Sequence, residues 1–165
     1  MRIDDEHESL ALELGQSLRV RGLRVATAES CTGGMISAAI TAIAGSSEWF
    51  ERGFVTYSNE AKREMLGVAQ ALLDAHGAVS QPVAIAMAEG ALAHSEADVA
   101  VSVTGIAGPG GATPGKPVGM VCFGFARRGS PGSAITQQLA GSRAEVRSRS
   151  VEIALRGLIE IASGG

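Results

Sequence analysis

Segments with helical spacing of apolar residues alternate with strand-like segments through most of the chain. A leucine at every fourth position from residue 10 to residue 18 predicts a first helix, which Asp4 or Asp5 caps and Gly22 ends. Five more helices are predicted over residues 33–44, 60–66, 69–76, 80–95 and 142–161. Residues that commonly cap helices stand at three of these starts: Asn59, Ser80 and Ser142. The last helix is expected to bury Val146, Ile153 and Leu158.

Five further segments predict β-strands, because they are rich in β-branched and aromatic residues or alternate in polarity. They cover residues 23–28, 50–58, 99–103, 119–127 and 134–140. In the third strand valine alternates with Ala100 and Ser102, so helices can cover both of its faces. A turn at residues 129–132 joins the last two strands as a hairpin, which makes a purely parallel sheet unexpected. We therefore predict an α/β fold, a three-layer α/β/α domain with a mixed sheet, as a single domain over residues 1–165.

The composition is that of an ordinary globular protein. Hydrophobic residues make up 45% of the 165 residues and charged residues 19%, whereas aromatic residues make up 4%, so aliphatic side chains must form the core. The net charge of −3 and the few aromatic residues argue against nucleic acid as a partner. Cys31 and Cys122 are too few for a disulfide framework and fit a reducing compartment.

The sequence offers no export signal and no membrane anchor that we can recognise. The first eight residues are acidic and lack the apolar segment of a signal peptide. The longest apolar segment, residues 35–44, falls far short of the roughly 20 residues that a membrane-spanning helix needs. We therefore expect a cytoplasmic protein with no membrane partner.

Residues 28–34, Ala-Glu-Ser-Cys-Thr-Gly-Gly, form the first candidate site. They open a predicted helix, where unpaired backbone N–H groups favour an anion such as a phosphate or the oxyanion of acyl transfer. Ser30 is then either a nucleophile or only a helix cap. The Gly-x-Ser-x-Gly nucleophile elbow does not fit, because Ala28 and Thr32 stand where that motif has glycine. Cys31 is a rival nucleophile, since a thiol at a helix N-terminus has a lowered pKa, but the sequence offers it no obvious histidine partner.

The second candidate is the segment Tyr-Ser-Asn-Glu-Ala-Lys at residues 57–62. Tyr57 is the only tyrosine of the chain and ends a predicted strand, and Lys62 lies one turn into the next predicted helix. A lysine whose pKa is lowered by burial can serve as general base for a serine. A lone lysine on a short helix is more often a solvated surface residue, and that alternative stays open.

A loop rich in glycine and proline, residues 104–117, follows the valine-rich strand. Its segment 110–116 reads Gly-x-x-x-x-Gly-Lys, but Pro117 stands where a P-loop has Ser or Thr, and a strand follows instead of a helix. The loop also fails Gly-x-Gly-x-x-Gly, since Thr113 stands at the last glycine. We predict a ligand-binding loop rather than a plain surface loop, because ligands in α/β sheets bind at strand ends.

Basic and metal-ligating residues give weaker signals. Arg143 and Arg147, one turn apart, can clamp a phosphate, or they can belong to a solvated basic face with Arg149 and Arg156. The histidines lie apart, so neither a metal site nor a cofactor is expected. They are His7, His76 and His94, the last two at predicted helix ends.

Together these segments resemble a known family. The motifs AESCTGG, GFVTYSNEAK, HGAVS, TGIAGPGG, TPGKPVG and a late Gly-x-Arg are similar to those of the CinA C-terminal domain family, over about residues 6–161. The resemblance implies hydrolysis of the carboxamide of nicotinamide mononucleotide to nicotinate mononucleotide and ammonia, in pyridine nucleotide recycling, by a Ser/Lys mechanism without a metal. The chain is expected to lack the additional N-terminal domain of full-length members and the activity of that domain.

The resemblance also implies roles for individual residues. Ser30 would be the nucleophile and Lys62 the general base, with Tyr57 and Thr104 close to the reacting centre. Arg143 would bind the substrate phosphate. The substrate would also meet a set of small or polar residues: Cys31, Thr32, Gly33, Gly34, Gly105, Gly108, Gly110 and Gly111.

Several alternatives stay open. A non-catalytic nucleotide-binding or interaction module of the same family would keep the pocket without turnover, and a Cys31 thiol hydrolase is a weaker third reading. Ser142 replaces the aspartate of the usual Gly-Asp-Arg, which puts a direct role of that carboxylate in doubt. Relatives imply a homo-oligomer, most simply a dimer, to which Trp49 and Phe50 can contribute as exposed apolar residues. The phosphate can lie at the helix start after Ser30 or in the glycine loop.

Overall fold

In a computed structural model, which describes residues 5–164, five strands form one mixed sheet between two layers of helices. Asp4, one of the two predicted caps, lies outside the described range. The helices are α1 (Asp5–Arg21), α2 (Met35–Thr41), α3 (Asn59–Leu66), α4 (Gln70–His76), α5 (Gln81–Ala93) and α6 (Arg143–Gly164), with a 3₁₀ turn at Ser46–Glu48. The strands are β1 (Val25–Glu29), β2 (Phe50–Val55), β3 (Val99–Gly105), β4 (Met120–Arg127) and β5 (Ser133–Gln138).

The strand order is β2-β1-β3-β4-β5. Strand β1 runs parallel to both of its neighbours, whereas β4 is antiparallel to β3 and β5. The predicted hairpin and the predicted mixed sheet are therefore confirmed. All five residues of β1 are buried, and β3 is buried except at Gly105, as expected for strands with a helical layer on each face.

Two hydrophobic cores flank the sheet. One lies under α1, α2 and α6 and contains Leu14, Ile36 and Leu155. The other lies under α3, α4 and α5 and contains Leu66 and Met87. None of the helices in residues 5–164 combines the length and the apolar character needed to cross a membrane.

The predicted elements are present, and they differ from the structure mainly at their ends. Helix α2 begins at Met35 rather than at residue 33, because Gly33 and Gly34 have φ angles of 56° and 108°. These left-handed conformations cannot belong to a right-handed helix. The cap of α3 is Ser58 rather than Asn59, since the Ser58 side chain accepts a hydrogen bond from the backbone N–H of Ala61.

The expectation that Trp49 is an exposed contact residue is wrong. Its side chain is only 6% exposed and packs against α1 at Gly15, where an added Cβ would lie 2.6 Å from the indole ring. Gly15 therefore makes room for the indole. Phe50 is partly buried beside the same core, and Ile153 is half-buried rather than fully buried.

We expect Gly124→Ala to destabilise the fold. A Cβ at this position of β4 would lie 2.1 Å from the Ala84 carbonyl oxygen and 2.5 Å from Ser102 Oγ, so strand and helix would have to move apart. Urea unfolding should show a loss of about 2 kcal/mol or more in the free energy of unfolding. Gly110→Ala, in open space, is the control and should change it by less than about 0.5 kcal/mol. Equal stability of the two variants would contradict the close packing.

Candidate active site

A serine and a buried lysine meet where β1 and β2 end. Ser30 directly follows β1, and Lys62 lies near the start of α3, which follows β2. Because these strands are parallel neighbours, their carboxyl ends share one edge of the sheet. Lys62 Nζ lies 3.1 Å from Ser30 Oγ, and Lys62 is only 1% exposed. The reading of Lys62 as a solvated surface residue is therefore wrong.

Three oxygen atoms surround the Lys62 amine. Nζ lies 3.0 Å from the carbonyl oxygen of Thr56, 3.1 Å from that of Tyr57 and 3.1 Å from Ser30 Oγ. As an ammonium, Nζ can donate to all three. After the loss of one proton, the two carbonyls, which can only accept, can retain the two remaining N–H groups. The lone pair is then left for the Ser30 hydroxyl, which is the arrangement a general base requires.

The surroundings of Lys62 favour the neutral amine. Burial lowers the pKa of Lys62, because desolvation disfavours the ammonium, and the neighbouring Cys31 opposes this shift only as a secondary effect. Among residues 5–164, the hydrogen-bond acceptors of Nζ are two carbonyls and one hydroxyl, all of them neutral. Near neutral pH, the fraction of molecules with a neutral amine that can accept a proton is therefore larger for Lys62 than for an exposed lysine.

The turn that carries Ser30 is anchored to β3. The Ser30 N–H donates to the carbonyl oxygen of Val103 at 3.0 Å, and the Gly33 N–H donates to the Ser30 carbonyl oxygen at 3.1 Å. Arg147 of α6 approaches from the other helical layer, and its Nε donates to the carbonyl oxygen of Cys31 at 3.0 Å. Ser30 is thus held on a four-residue turn, and the prediction that it stands at the start of a helix is wrong.

The N-terminus of α2 is not free to bind a substrate anion. The carboxylate of Glu29 accepts hydrogen bonds from the backbone N–H groups of Ile36 and Ser37 at 2.9 and 3.0 Å. Sequence reasoning assigned Glu29 no role. The signal available was an acidic residue placed between a strand and a helix start, where the helix dipole favours negative charge.

Cys31 does not have the character of a nucleophilic thiolate. It is 7% exposed, and burial raises its pKa to about 11. A helix N-terminus does not lower the pKa of Cys31 as expected, because α2 begins only at Met35. The thiol is therefore protonated near neutral pH, which disfavours the thiol hydrolase reading.

A cavity of about 230 Å³ opens beside the Ser30 and Lys62 side chains. The structure brings seven residues of the predicted site to its wall: Ser30, Cys31, Tyr57, Lys62, Thr104, Gly105 and Arg143. Four other residues complete the wall: Ala107, which lies in the predicted ligand-binding loop, and Asn59, Ala78 and Val79, which sequence reasoning did not name as site residues. Of these, Asn59 is the polar one, and its place between Tyr57 and Lys62 in the predicted segment was the signal for it.

Tyr57 and Thr104 lie on the cavity wall in different ways. The Tyr57 residue is 65% exposed at the rim, and its carbonyl group, rather than its hydroxyl, contacts Lys62. Thr104 is 1% exposed, and its Oγ1 donates to the carbonyl oxygen of Ala78 at 2.9 Å. Thr104 Oγ1 can therefore accept a hydrogen bond from a ligand, but its own proton is already donated to Ala78.

Six residues of the predicted site do not line the cavity: Thr32, Gly33, Gly34, Gly108, Gly110 and Gly111. Thr32 is fully buried, and its hydroxyl donates to Glu29. Gly33 and Gly34 form the turn before α2. Gly110 and Gly111 lie on the exposed part of the glycine loop, away from the lysine.

The two predicted clamp arginines have separate positions. Arg143 lines the cavity, and its Nη1 donates to the carbonyl oxygen of Gly108 at 2.9 Å, which joins α6 to the glycine loop. Ser142 and Glu145 cap each other's backbone N–H groups and so fix the start of α6. Arg147 instead contacts the Ser30 turn. Only Arg143 is therefore placed to meet a ligand in the cavity.

Within residues 5–164 no three histidine, cysteine, aspartate or glutamate side chains are grouped so that they could hold a metal ion. His76 is the last residue of α4 and His94 follows the end of α5, so both predicted helix-end positions are confirmed.

Comparisons with known proteins agree on one family. A sequence model described as the CinA C-terminal domain matches residues 7–162. The chain is 52% identical over 155 residues to "Nicotinamide-nucleotide amidohydrolase PncC" of Escherichia coli (strain K12), covering 94% of each chain. It is 54% identical over 160 residues to the protein of the same name from Enterobacter agglomerans, covering 93% of this chain and 96% of that one. The crystal structure of competence/damage inducible protein CihA from Agrobacterium tumefaciens is 46% identical, with a TM-score of 0.94 and 98% of each chain covered.

We expect the stabilising effect of Lys62→Met, measured relative to the unsubstituted protein, to be larger at neutral pH than at alkaline pH. The pKa of Lys62 is lowered below its ordinary value of 10.5 on folding, so the unfolded chain binds this proton more tightly than the native chain. The stability of the unsubstituted protein relative to Lys62→Met should therefore rise with pH up to about 10.5 and then level off.

Urea unfolding of both proteins between pH 7 and pH 10.5 measures this difference. Lys116→Met, at the half-exposed lysine of the glycine loop, is the matched control for the loss of a lysine. A pH-dependent difference no larger than that of the control would contradict the lowered pKa.

Proposed function

This chain belongs to the CinA C-terminal domain family, and we propose that it hydrolyses the carboxamide of nicotinamide mononucleotide to nicotinate mononucleotide and ammonia. Ser30 is the nucleophile and Lys62 the general base. The observation that carries this mechanism is the 3.1 Å contact between Lys62 Nζ and Ser30 Oγ inside a buried site. The names of the similar proteins supply the substrate, whose reaction belongs to pyridine nucleotide recycling.

The first half of the reaction acylates Ser30. The neutral Lys62 amine takes the Ser30 proton as Oγ attacks the carboxamide carbon, and a tetrahedral intermediate forms with a negative oxygen. The Lys62 ammonium then returns the proton to the amide nitrogen, the carbon–nitrogen bond breaks and ammonia leaves. This leaves the nicotinoyl group as an ester on Ser30. Both proton transfers use the same Lys62 amine, first from Ser30 Oγ and then to the amide nitrogen, so no second acid is required.

The second half releases the product. A water molecule takes the place of ammonia, and Lys62 accepts its proton as the water oxygen attacks the ester carbon. The ester bond then breaks, the Ser30 oxygen regains the proton from Lys62, and the new carboxylic acid gives the second proton of the water to the solvent, so that nicotinate mononucleotide leaves as a carboxylate. The two carbonyls at Lys62 Nζ hold the amine in the same position in both halves.

The negative oxygen needs hydrogen-bond donors that are not already used. The Ser30 N–H is bound to Val103 and the first N–H groups of α2 are bound to Glu29. Within residues 5–164 the N–H groups of Cys31 and Thr32 donate to no other residue. We therefore assign the oxyanion to the N–H groups of the turn directly after Ser30, of which that of Cys31 is at the cavity wall.

The substrate phosphate is assigned to Arg143. A cavity of about 230 Å³ is smaller than a pocket that encloses a drug-sized ligand, so the nicotinamide end is enclosed and the ribose phosphate extends toward the opening. Among the described residues Arg143 is the one arginine on the cavity wall, and guanidinium groups bind phosphate through two parallel hydrogen bonds. The hydroxyl oxygen of Thr104 can accept a hydrogen bond from the carboxamide NH₂ and so orient it for attack.

We expect the purified protein to release ammonia from nicotinamide mononucleotide, and Ser30→Ala to lower kcat by a factor on the order of 10³ or more. A coupled ammonia assay measures both. Cys31→Ala is the matched control and should retain most of the turnover, since its backbone N–H remains. Calorimetric binding of the mononucleotide without ammonia release would instead support a binding module. Full turnover by Ser30→Ala would overturn the serine mechanism.

We expect Arg143→Ala to raise KM for nicotinamide mononucleotide by about 10- to 100-fold, the loss of a hydrogen bond between charged groups. Nicotinamide riboside lacks the phosphate, so its KM should be similar for the variant and the unsubstituted protein. Arg149→Ala, on the exposed side of α6, is the control for the loss of positive charge. Equal effects of Arg143→Ala on both substrates would contradict a phosphate contact.

A further inference from the structure

Glu29 is a buried carboxylate that hydrogen bonds, rather than an ion pair, stabilise. Its residue is fully buried, yet no lysine or arginine forms an ion pair with it in the described range 5–164. Four donors satisfy its carboxylate instead. Oε1 accepts from Thr32 Oγ1 at 2.6 Å and from the Ile36 N–H at 2.9 Å, and Oε2 accepts from the Ser37 N–H at 3.0 Å and from Ser37 Oγ at 2.9 Å.

These four contacts join three successive elements. Glu29 ends β1, Thr32 lies in the turn, and Ile36 and Ser37 lie in the first turn of α2. The carboxylate therefore links the strand to the helix across the turn, and we call this set of four hydrogen bonds the brace. A third hydroxyl extends it, because Thr27 Oγ1 lies 2.7 Å from Ser37 Oγ. The segment that is braced contains Ser30 and Cys31.

Without these four hydrogen bonds the turn would keep its contacts with β3 and α6 but would be less restrained at its two glycines. Gly33 and Gly34 have many accessible backbone conformations, so the turn has a high entropy when it is unrestrained. Ser30 must keep its oxygen 3.1 Å from Lys62, and the adjacent N–H groups must keep their direction. A displacement of about 1 Å in such a site can cost on the order of 10²-fold in rate.

We infer that Glu29 is a positioning residue, whose carboxylate holds the Ser30 turn in the geometry that the reaction requires. It contacts neither the cavity nor Ser30 Oγ, so it acts through the turn and not on the substrate. This inference rests on the proposed function for its activity measurements, but its structural part does not.

Glu29→Gln is the first test variant. The amide has the same shape but replaces one acceptor oxygen by an NH₂ group that faces donors, so part of the brace is lost. Ser37→Ala is the second. It removes one of the four hydrogen bonds and leaves the Glu29 charge in place. Leu158→Ala, in the buried part of α6 and four turns away from Arg143, controls for loss of stability alone.

Two measurements are made in a Cys122→Ala background, so that Cys31 is the remaining thiol. The first is the rate at which iodoacetamide alkylates Cys31, which is buried on the turn in the braced state. The second is the split between kcat and KM for ammonia release from nicotinamide mononucleotide. Thermal unfolding of each variant shows how much stability has been lost.

We expect both brace variants to speed alkylation and to lower kcat, by about tenfold or more for Glu29→Gln and by a smaller factor for Ser37→Ala, with KM little changed. Leu158→Ala should change neither, even at a larger loss of unfolding temperature. Ser37→Ala is decisive for alkylation, because the Glu29 charge raises the pKa of Cys31, and its removal alone would make the thiol more reactive.

Four results would overturn the inference. Alkylation that rises in Glu29→Gln but not in Ser37→Ala would show an effect of charge alone. Faster alkylation with an unchanged kcat would show that the reaction does not depend on the brace. A raised KM with an unchanged kcat would show that Glu29 acts through a substrate contact. Effects equal to those of Leu158→Ala would show a general loss of stability.

The same measurements distinguish failure of the proposed function from failure of the inference about Glu29. If the unsubstituted protein releases no ammonia, the proposed function fails, and the alkylation rates still decide whether Glu29 holds the turn. If Glu29→Gln does not fold, Ser37→Ala carries the test, and unchanged kcat and alkylation in that variant overturn the inference.

Discussion

An amine held out of water, with only neutral oxygens as partners, is the constraint around which this site is organised. A buried ammonium without a counter-charge is unfavourable, and the favourable response is to give up its proton. Lys62 is in that position, since carbonyl oxygens of Thr56 and Tyr57 and the Ser30 hydroxyl surround it. A carboxylate at the same distance would stabilise the ammonium and raise the pKa of the amine, so little of the neutral form would be present to accept the Ser30 proton. The reactivity of the pair therefore depends as much on which residues are absent near Nζ as on which are present.

The topology explains why this amine can be buried at all. The chain leaves β1 to add β2 on one side, then crosses to add β3 on the other, so β1 is the point where the strand order reverses. Crevices open beside the carboxyl ends of strands at such points. Ser30 follows β1, the Lys62 helix follows β2, and Thr104 is the penultimate residue of β3, so three neighbouring strands each deliver one side chain. All three residues are buried there.

Local sequence was sufficient for most elements but not for the environment of individual side chains. Leucine periodicity located α1, because one buried face determines its pattern, valine alternation located β3, and the cap at Ser80 located α5. The environment of Lys62 depends on Thr56, which directly follows β2, and on Ser30, which directly follows β1. These residues lie 6 and 32 positions away along the chain, and no local pattern encodes the contact with Ser30. Trp49 was misjudged for the same reason, since the space that receives it is made by Gly15 of a different element. In the motif around Ser30 the sequence predicts helix at Gly33 and Gly34, whereas the structure has a turn there, because both glycines have positive φ angles.

The position of Glu29 decides how the two anions of the reaction can be accommodated. A helix N-terminus attracts negative charge, and from the sequence α2 was open to either the oxyanion or the phosphate. A carboxylate of the chain itself already occupies that place. The oxyanion then needs donors that lie nearer to Ser30, and the phosphate needs a cation on the far wall, where Arg143 bridges α6 and the glycine loop. Because Glu29 fills the N-terminus of α2, the proposed mechanism assigns the two anions to separate groups, the oxyanion to N–H groups after Ser30 and the phosphate to Arg143.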